Sequence, residues 1–368
     1  MTATPATLPE LDTPALLIDL DALEANLAEM AAVAARAGVG LRPHTKTHKS
    51  PEIARMQVAA GAAGITCAKL GEAEVMADAG LDDLLIAYPL VGEPKLRRLR
   101  ALMERARVRV SLDSVEVAEG LGHVGRELGR DVEVLVEVDT GLHRLGRPPG
   151  PPTAELVGRV ARVPGVEVAG LLTHAGHAYR AGTPEELRRL AEREVLDLVE
   201  TAALCERDGI ALREISVGST PTARTGAFVG GVTEIRPGTY ALNDATMMRL
   251  GIATEATAAA RVLVTVVARP AGDRFVVDAG SKCFTTDGMG GVPDWLVVAG
   301  RPDLHMDFLS EEHGVGHLDG GDGLRIGERL QVIPSHACAC VNMFDLAYGV
   351  RGGQVERELP IAGRGKVR

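Results

Sequence analysis

Short apolar runs alternate along this chain with longer stretches whose apolar residues recur every three or four positions. The short runs, at residues 39–46, 64–68, 83–88, 107–113, 132–139, 167–174, 214–219 and 234–240, read as strands. Between them, residues 50–60, 71–79, 93–105, 114–128, 153–163, 185–208 and 221–228 carry helical periodicity, and residues 19–37 read as an amphipathic helix ahead of the first strand. Eight strands alternating with helices predict parallel βαβ units. The count predicts an α/β fold of the (β/α)8, TIM-type barrel class; an open doubly wound sheet is the alternative. After residue 240 the texture changes. Strands at 262–268, 274–278 and 329–333 are joined by turn-rich segments such as Gly288-Met289-Gly290-Gly291, without long helical patterns. The expected organisation is a barrel over residues 15–244 and a second, mainly antiparallel β domain over residues 245–368. The glycine-rich run 314–323 reads as a loop and lacks the spacing of a phosphate loop or a calcium hand.

Composition narrows the function classes. With 368 residues and 46% hydrophobic content, the chain has ample material for two domains. A net charge of −10 argues against a nucleic-acid surface and against a polybasic membrane anchor. No window has the length of a membrane span, and the first ten residues lack the charged head and apolar stretch of a signal peptide. Cys67, Cys205, Cys283, Cys338 and Cys340 are scattered and odd in number, which predicts free thiols and a cytoplasmic location. Lysine is scarce: Lys46, Lys49, Lys69, Lys95, Lys282 and Lys366 are all there are, so any lysine chemistry falls on one of six positions.

A barrel of this class carries its chemistry at the C-terminal ends of its strands. Lys46 ends the first predicted strand, in Arg42-Pro43-His44-Thr45-Lys46-Thr47-His48-Lys49. Strand periodicity would point His44, Lys46 and His48 the same way. A lysine among imidazoles is placed for a depressed pKa and a Schiff base; a solvated basic loop is the plainer reading of the same residues. Asp139 and Arg144 follow the fifth strand, and His174, His177 and Tyr179 follow the sixth. Lys46, His174 and His177 are the candidate catalytic residues. Gly218-Ser219-Thr220 ends the seventh strand and Gly238-Thr239-Tyr240 the eighth. Small residues and hydroxyls at those two loops suit a phosphate cradle, although glycine, serine and threonine populate ordinary turns too. A Schiff-base lysine with a phosphate cradle points to pyridoxal 5′-phosphate.

One more motif is Pro334-Ser335-His336-Ala337-Cys338-Ala339-Cys340. On a strand, His336, Cys338 and Cys340 would share a face, and an imidazole beside a thiolate suits zinc or a similar divalent metal. A buried strand with two small apolar cysteines accounts for the same pattern.

Taken in order, Arg-Pro-His-x-Lys-x-His-Lys, Asp-x-Gly-x-x-Arg-x-Gly, His-Ala-Gly-His-x-Tyr, Gly-Ser-Thr-Pro-Thr, Arg-Pro-Gly-Thr-Tyr and His-x-Cys make a specific set. The set resembles the family of D-threonine aldolase and eukaryotic-type D-serine dehydratase, pyridoxal-phosphate enzymes of the alanine racemase fold, and the likeness covers nearly the whole chain. The opening Thr13-Pro14-Ala15-Leu16-Leu17-Ile18-Asp19-Leu20-Asp21 is similar to that fold's start. The resemblance implies a homodimer, with residues 1–14 joining the β domain. It implies that Lys46 holds the cofactor, that Arg144 contacts its ring oxygen and that Tyr179 sits near the pyridine nitrogen. Ser219, Thr220, Gly238 and Thr239, with Gly218 and Tyr240, would hold the phosphate, and His336 and Cys338 a zinc, manganese or magnesium ion. The substrate would be a β-hydroxy D-amino acid. D-threonine aldolase chemistry, giving glycine and acetaldehyde, is the expected reaction. D-serine dehydratase chemistry, giving pyruvate and ammonia, is the alternative, because some aldolases of this family carry aspartate where Cys338 stands. A racemase needs no metal, and a non-catalytic cofactor carrier has no use for the second domain or the metal pair.

Overall fold

The ladder-forming residues of the computed structural model fall into two sheets, one wholly parallel and one almost wholly antiparallel. Residues 7–287, 296–320 and 323–368 are described; the expected turn at Gly288-Met289-Gly290-Gly291 lies outside them. The chain divides into two compact units. One comprises Ala28–Lys46, Ala54–Gly238 and Gly365–Arg368; the other comprises the chain up to Leu27, Thr47–Ile53 and Thr239–Arg364.

Strand β1 (Ala15–Asp19) belongs to the second unit. The first unit holds β2 (Gly40–Leu41), β3 (Ile65–Cys67), β4 (Asp83–Ile86), β5 (Arg107–Leu112), β6 (Val132–Glu137), β7 (Val166–Leu172), β8 (Glu214–Val217) and β9 (Glu234–Ile235). These eight strands pair in parallel in the order β2-β9-β8-β7-β6-β5-β4-β3, and a parallel bridge between His44 and Thr66 joins the two ends into a ring. Helices Pro51–Ala59, Leu70–Asp78, Glu93–Met103, Val115–Leu128, Pro151–Val160, Pro184–Arg207 and Thr220–Gly226 follow successive strands, as the apolar spacing predicts. Their ends are fixed locally. Ser114 accepts from the Val117 N–H, Thr183 accepts from the Glu186 N–H ahead of Pro184, and Gly129 closes its helix at φ +65°.

The observed strands are shorter than the predicted runs at their C-terminal ends. The polar residues there, including Lys46, Asp139, His174 and Ser219, leave the ladder to build loops. Inside the ring, Leu85, Leu135 and Leu172 form an apolar layer. Toward the N-terminal ends of β4, β8 and β9 lies an ionic layer. Arg42 bonds Glu234 and Asp83 at 2.7 Å each, and Arg109 bonds Asp83 at 2.7 Å and Glu214 at 2.6 Å.

The second unit adds β10 (Ala260–Ala271), β11 (Arg274–Val277), β12 (Val297–Val298), β13 (Leu304–Leu309), β14 (Gly314–Leu318), β15 (Arg329–Ile333), β16 (Leu346–Arg351) and β17 (Gln354–Pro360). Its sheet runs β11-β14-β13-β12-β15-β10-β1-β16-β17, antiparallel throughout except for the β1–β16 pair. Leu11, Ala15, Leu17, Leu263 and Val350 bury one face. Residues 15–19 therefore lie in this sheet and not in the barrel, and Thr239 to Asp244 also group with this unit. The run Ala15–Ile18 is apolar and buried, which a strand between β10 and β16 requires. The glycine-rich run starting at 314 is a strand over Gly314–Leu318, not a loop, because Gly316 leaves room for a close neighbour: a Cβ there would lie 2.2 Å from the His305 carbonyl oxygen. No helix among the described residues is long and apolar enough to cross a membrane.

Candidate active site and candidate metal pair

Lys46 does not sit on a strand. The ladder ends at Leu41, and Thr45–Thr47 forms a 3₁₀ turn. Pro43 has no N–H for the ladder. The Thr45 hydroxyl lies 2.7 Å from the buried Glu72 carboxylate and 3.0 Å from the Thr66 carbonyl, which pulls the backbone inward. His44, Lys46 and His48 therefore do not alternate along a strand. His48 Nδ1 accepts the Ser50 N–H at 3.1 Å, ahead of the helix Pro51–Ala59. His44 Nδ1 accepts the Lys46 backbone N–H at 3.4 Å.

The second imidazole near Lys46 is His174, just past β7. Burial holds both His44 and His174 well below the ordinary imidazole pKa, and the nearby charges of Lys46, Arg144 and Arg236 push each further down. Both rings are neutral at pH 7. His174 Nδ1 is 3.3 Å from the Gly218 carbonyl oxygen, so Nδ1 donates and Nε2 carries the lone pair. The arrangement thus gathers three cations around two neutral imidazoles. Arg144 is half-exposed and lies 3.8 Å from Glu137, whose carboxyl is pushed up by burial. Arg236 is buried and donates to Ser216 Oγ at 2.5 Å and to the Thr173 carbonyl. Its participation had no signal in the motif beyond an arginine before a proline.

His177 stands apart from this group. It lies in the 3₁₀ turn Gly176–Arg180, packed beside Gly141, and its electrostatic neighbours are Asp139 and His143. Burial lowers its pKa against the opposing pull of Asp139, and its Nδ1 is buried without a hydrogen-bond partner. Tyr179, in the same turn, is buried. Asp139 accepts from the backbone N–H groups of Gly141 and His143 and pairs with the His143 ring at 2.9 Å, which fixes the loop that carries Arg144.

At the end of β8, Gly218 adopts φ +117°, a conformation that only glycine takes without strain, and a Cβ there would be 3.2 Å from the Arg236 N. Ser219 precedes the helix Thr220–Gly226, its Oγ 3.1 Å from Thr222 Oγ1. The Gly218 N–H is not open to a ligand. It donates at 3.0 Å to Glu194 Oε1, which also accepts the Ala175 N–H at 3.2 Å. One buried carboxyl, raised in pKa by its burial, therefore ties the loops after β7 and β8 together. Gly238 follows Pro237, whose carbonyl accepts the His44 N–H at 3.0 Å. Ser219, Thr220, Gly238, Thr239 and Tyr240 are all buried.

The second unit holds the His336 and Cys338 pair. The alternating strand expected there is instead a helix, Ala337–Val341, with His336 at its N-cap. Alanine-rich sequence is helix-compatible, and Asp244 starts the helix by accepting the Ala337 N–H at 3.0 Å. The ligand candidates meet because they share the first turn. Burial would lower the His336 pKa, but Cys338, Asp244 and Asp287 raise it to about 9. His336 Nδ1 lies 2.8 Å from Asp287 Oδ2, 49 residues away in sequence. The Thr47 hydroxyl is 3.1 Å from Cys338 Sγ, and that of Thr239 is 3.7 Å from it. The Thr239 hydroxyl thus faces the thiol. Cys340 points away: its thiol donates to the Cys283 carbonyl at 3.1 Å and burial raises its pKa, so it stays protonated.

These residues fit the groups expected of them. The Lys46 amine, two arginines and a loop of small hydroxyl residues suit a phosphorylated aldehyde, and an imidazole beside a sulfur with a carboxylate at 2.8 Å suits a borderline divalent metal. Residues 18–253 match the family described as alanine racemase, N-terminal domain, and residues 259–350 match the putative serine dehydratase domain. The chain is 37% identical over 354 residues to D-threo-3-hydroxyaspartate dehydratase of Delftia sp. (strain HT23), covering 90% of this chain and 92% of the relative. It is 36% identical over 363 residues to D-threonine aldolase of Arthrobacter sp., covering 97% and 94%. The structure of D-threonine aldolase from Filomicrobium marinum superposes with a TM-score of 0.94 at 35% identity, over 100% of this chain and 99% of that one. Two altered forms of the Delftia dehydratase superpose at 0.89 and 34% identity, over 96% of this chain and 98% and 96% of theirs. One has a cysteine replaced by alanine and is in a metal-free form; the other has the histidine two residues earlier replaced by alanine. The chain belongs to the family that joins an alanine racemase N-terminal domain to a serine dehydratase domain, whose members include D-threonine aldolase and D-threo-3-hydroxyaspartate dehydratase.

Proposed function

We propose that the protein is a pyridoxal-phosphate- and divalent-metal-dependent lyase for β-hydroxy D-amino acids, of the D-threonine aldolase type. The observation that carries the reading is the neutral His174, with its Nε2 lone pair, in the cation-crowded group around Lys46. Lys46 would hold the cofactor aldehyde. When bound, the cofactor supplies an electron sink for charge developing at the substrate's Cα. Arg144 and Arg236 supply positive charge for phosphate and carboxylate groups. Ser219 and Thr220, with the Gly238-Thr239-Tyr240 loop, are the candidates for the phosphate. His174 can take or return a proton at Nε2, because its Nδ1 proton is committed to the Gly218 carbonyl. His177, whose buried Nδ1 has no hydrogen-bond partner, is the second candidate acid–base group. Glu194 does not meet substrate in this scheme; it holds the two loops in register.

His336 and Cys338 are the metal candidates, with Asp287 as a third donor or an orienting carboxylate. Against burial, Cys338, Asp244 and Asp287 raise the His336 pKa, so metal binding at this pair would release a proton. A second reading, dehydration of a β-hydroxy D-amino acid, is favoured by one observation. The histidine and cysteine replaced in the Delftia dehydratase have the two-residue spacing of His336 and Cys338.

The experiment is product identification with D-threonine, D-serine and D-threo-3-hydroxyaspartate. Glycine with an aldehyde supports the aldolase, and a 2-oxo acid with ammonia supports the dehydratase. Absence of both with every substrate, in cofactor- and metal-loaded protein, refutes the lyase reading.

A further inference from the structure

A hairpin in the second unit carries a group of side chains that the proposed lyase does not use. His305 on β13 and His317 on β14 are direct cross-strand partners in the antiparallel register. Their rings stack with centroids 4.9 Å apart and an interplanar angle of 24°. Asp319, just past β14, brings Oδ2 to 3.1 Å from His305 Nε2. Ligating atoms of His305, His317 and Asp319 all lie within 4.8 Å of one another.

The hairpin is not regular. Met306 pairs with Gly316 and Phe308 with Val315, so Asp307 is the extra residue of a β-bulge. A bulge re-aims the side chain it carries. Here Asp307 Oδ1 is turned to 2.7 Å from His317 Nδ1. The carboxylate fixes the proton on Nδ1 and leaves Nε2 with the lone pair, the tautomer in which an imidazole ligates a metal. Two opposed imidazoles, a carboxylate within reach of both, and a further carboxylate orienting one ring amount to more than a solvated strand face.

We propose that His305, His317 and Asp319 form a second divalent-metal site, for a borderline ion such as zinc, with Asp307 orienting His317 and water filling the open position. Two nitrogens and one oxygen are a donor set that zinc accepts in tetrahedral geometry. Zinc bonds of about 2.0–2.1 Å put tetrahedral donors about 3.3 Å apart, so donors that lie within 4.8 Å of one another close in by up to about 1.5 Å. The side chains of His305 and Asp319 are exposed enough to make that movement by rotamer change. The ion would staple β13 to β14 and to the segment after it. The site shares no residue with His336 and Cys338.

The test is zinc titration by calorimetry on full-length, cofactor-loaded protein freed of metal by dialysis against chelator. His305→Ala with His317→Ala should take up one equivalent of zinc per chain fewer than the parent, whatever the parent's total. His317→Gln should do the same. Asp307→Asn should retain that equivalent with roughly tenfold weaker affinity, the usual cost of losing an orienting partner. D-threonine turnover should stay within twofold of the parent in all of them. Unchanged stoichiometry and unchanged affinity in these variants would overturn the proposal and leave the hairpin as a solvated face.

Discussion

The barrel unit buries charge in two places and builds them on opposite principles. In the ionic layer, two guanidiniums meet three carboxylates at 2.6–2.7 Å, and the Arg42 and Arg109 side chains are each 3% exposed. Burial would raise the Asp83 pKa, but the two arginines outweigh it and hold the carboxyl below its usual range. Near Lys46 the balance is reversed. Lys46, Arg144 and Arg236 crowd two imidazoles that burial keeps uncharged, and the nearby Glu137 and Glu194 carboxyls are pushed up by their own burial. Paired burial is complete by itself. A cation-rich group with neutral bases has positive charge to offer an anionic ligand, which the proposed cofactor would be.

Breaking the second group should cost activity and spare the fold. Lys46→Ala should lower turnover of β-hydroxy D-amino acids by about 10³-fold or more, over 4 kcal/mol of barrier, and abolish the absorbance of the lysine-bound cofactor. Its urea midpoint should match or exceed the parent's, since one crowding cation is gone. A large loss of stability would place Lys46 with the structural charges instead.

Breaking the first group should do the opposite. Arg109→Met leaves Glu214 without its partner and Asp83 with one arginine fewer, and should destabilise the fold by about 3–5 kcal/mol in urea titration. Protein that remains folded should bind cofactor as the parent does. Wild-type stability in Arg109→Met would show that the layer is dispensable.

The metal pair sharpens the contrast from the second unit. Here, against burial, Cys338, Asp244 and Asp287 raise the pKa of one imidazole, and the pair with Asp287 at 2.8 Å depends on a proton that a metal would displace. His336→Ala and Cys338→Ala should retain cofactor absorbance and lose roughly 10²-fold in turnover, as should chelation of the parent, with added metal restoring the parent alone. Full turnover by thoroughly chelated protein would return the pair to a structural role.

A smaller effect concerns pH. The folded pKa values of His44 and His174 lie below the unfolded value of 6.5, so below that pH the unfolded chain binds more protons. Stability is fully present above about pH 6.5 and falls as the medium is acidified toward the folded values, by at most about 1.4 kcal/mol per pH unit for each ring. His174→Asn should flatten the slope of urea stability just below pH 6.5. An unchanged slope would mean that the ring is already charged in the folded protein.

Much of this was legible in the sequence, and the losses have physical causes. The eight parallel strands showed as apolar runs because both faces are buried, and the helices showed through their period. The turn at Lys46 did not show, because it depends on Glu72, 27 residues from Thr45. A five-residue alanine and cysteine segment fits either period, and Ala337–Val341 is a helix because Asp244, distant in sequence, accepts its first N–H. The sequence does not show that β1 leaves the barrel, because its partners, β10 and β16, lie more than 240 residues away. Glu194, Arg236 and Asp287 had no local motif; each acts through partners brought together by the fold alone.

The account rests on Lys46 as the cofactor lysine, and one measurement addresses that without relying on turnover. Protein incubated with pyridoxal 5′-phosphate is reduced with borohydride, digested, and mapped by mass spectrometry. A pyridoxyl label on the peptide containing Lys46, near one equivalent per chain, is the predicted result. A label on Lys49, Lys69 or Lys282 with Lys46 unmodified would contradict it.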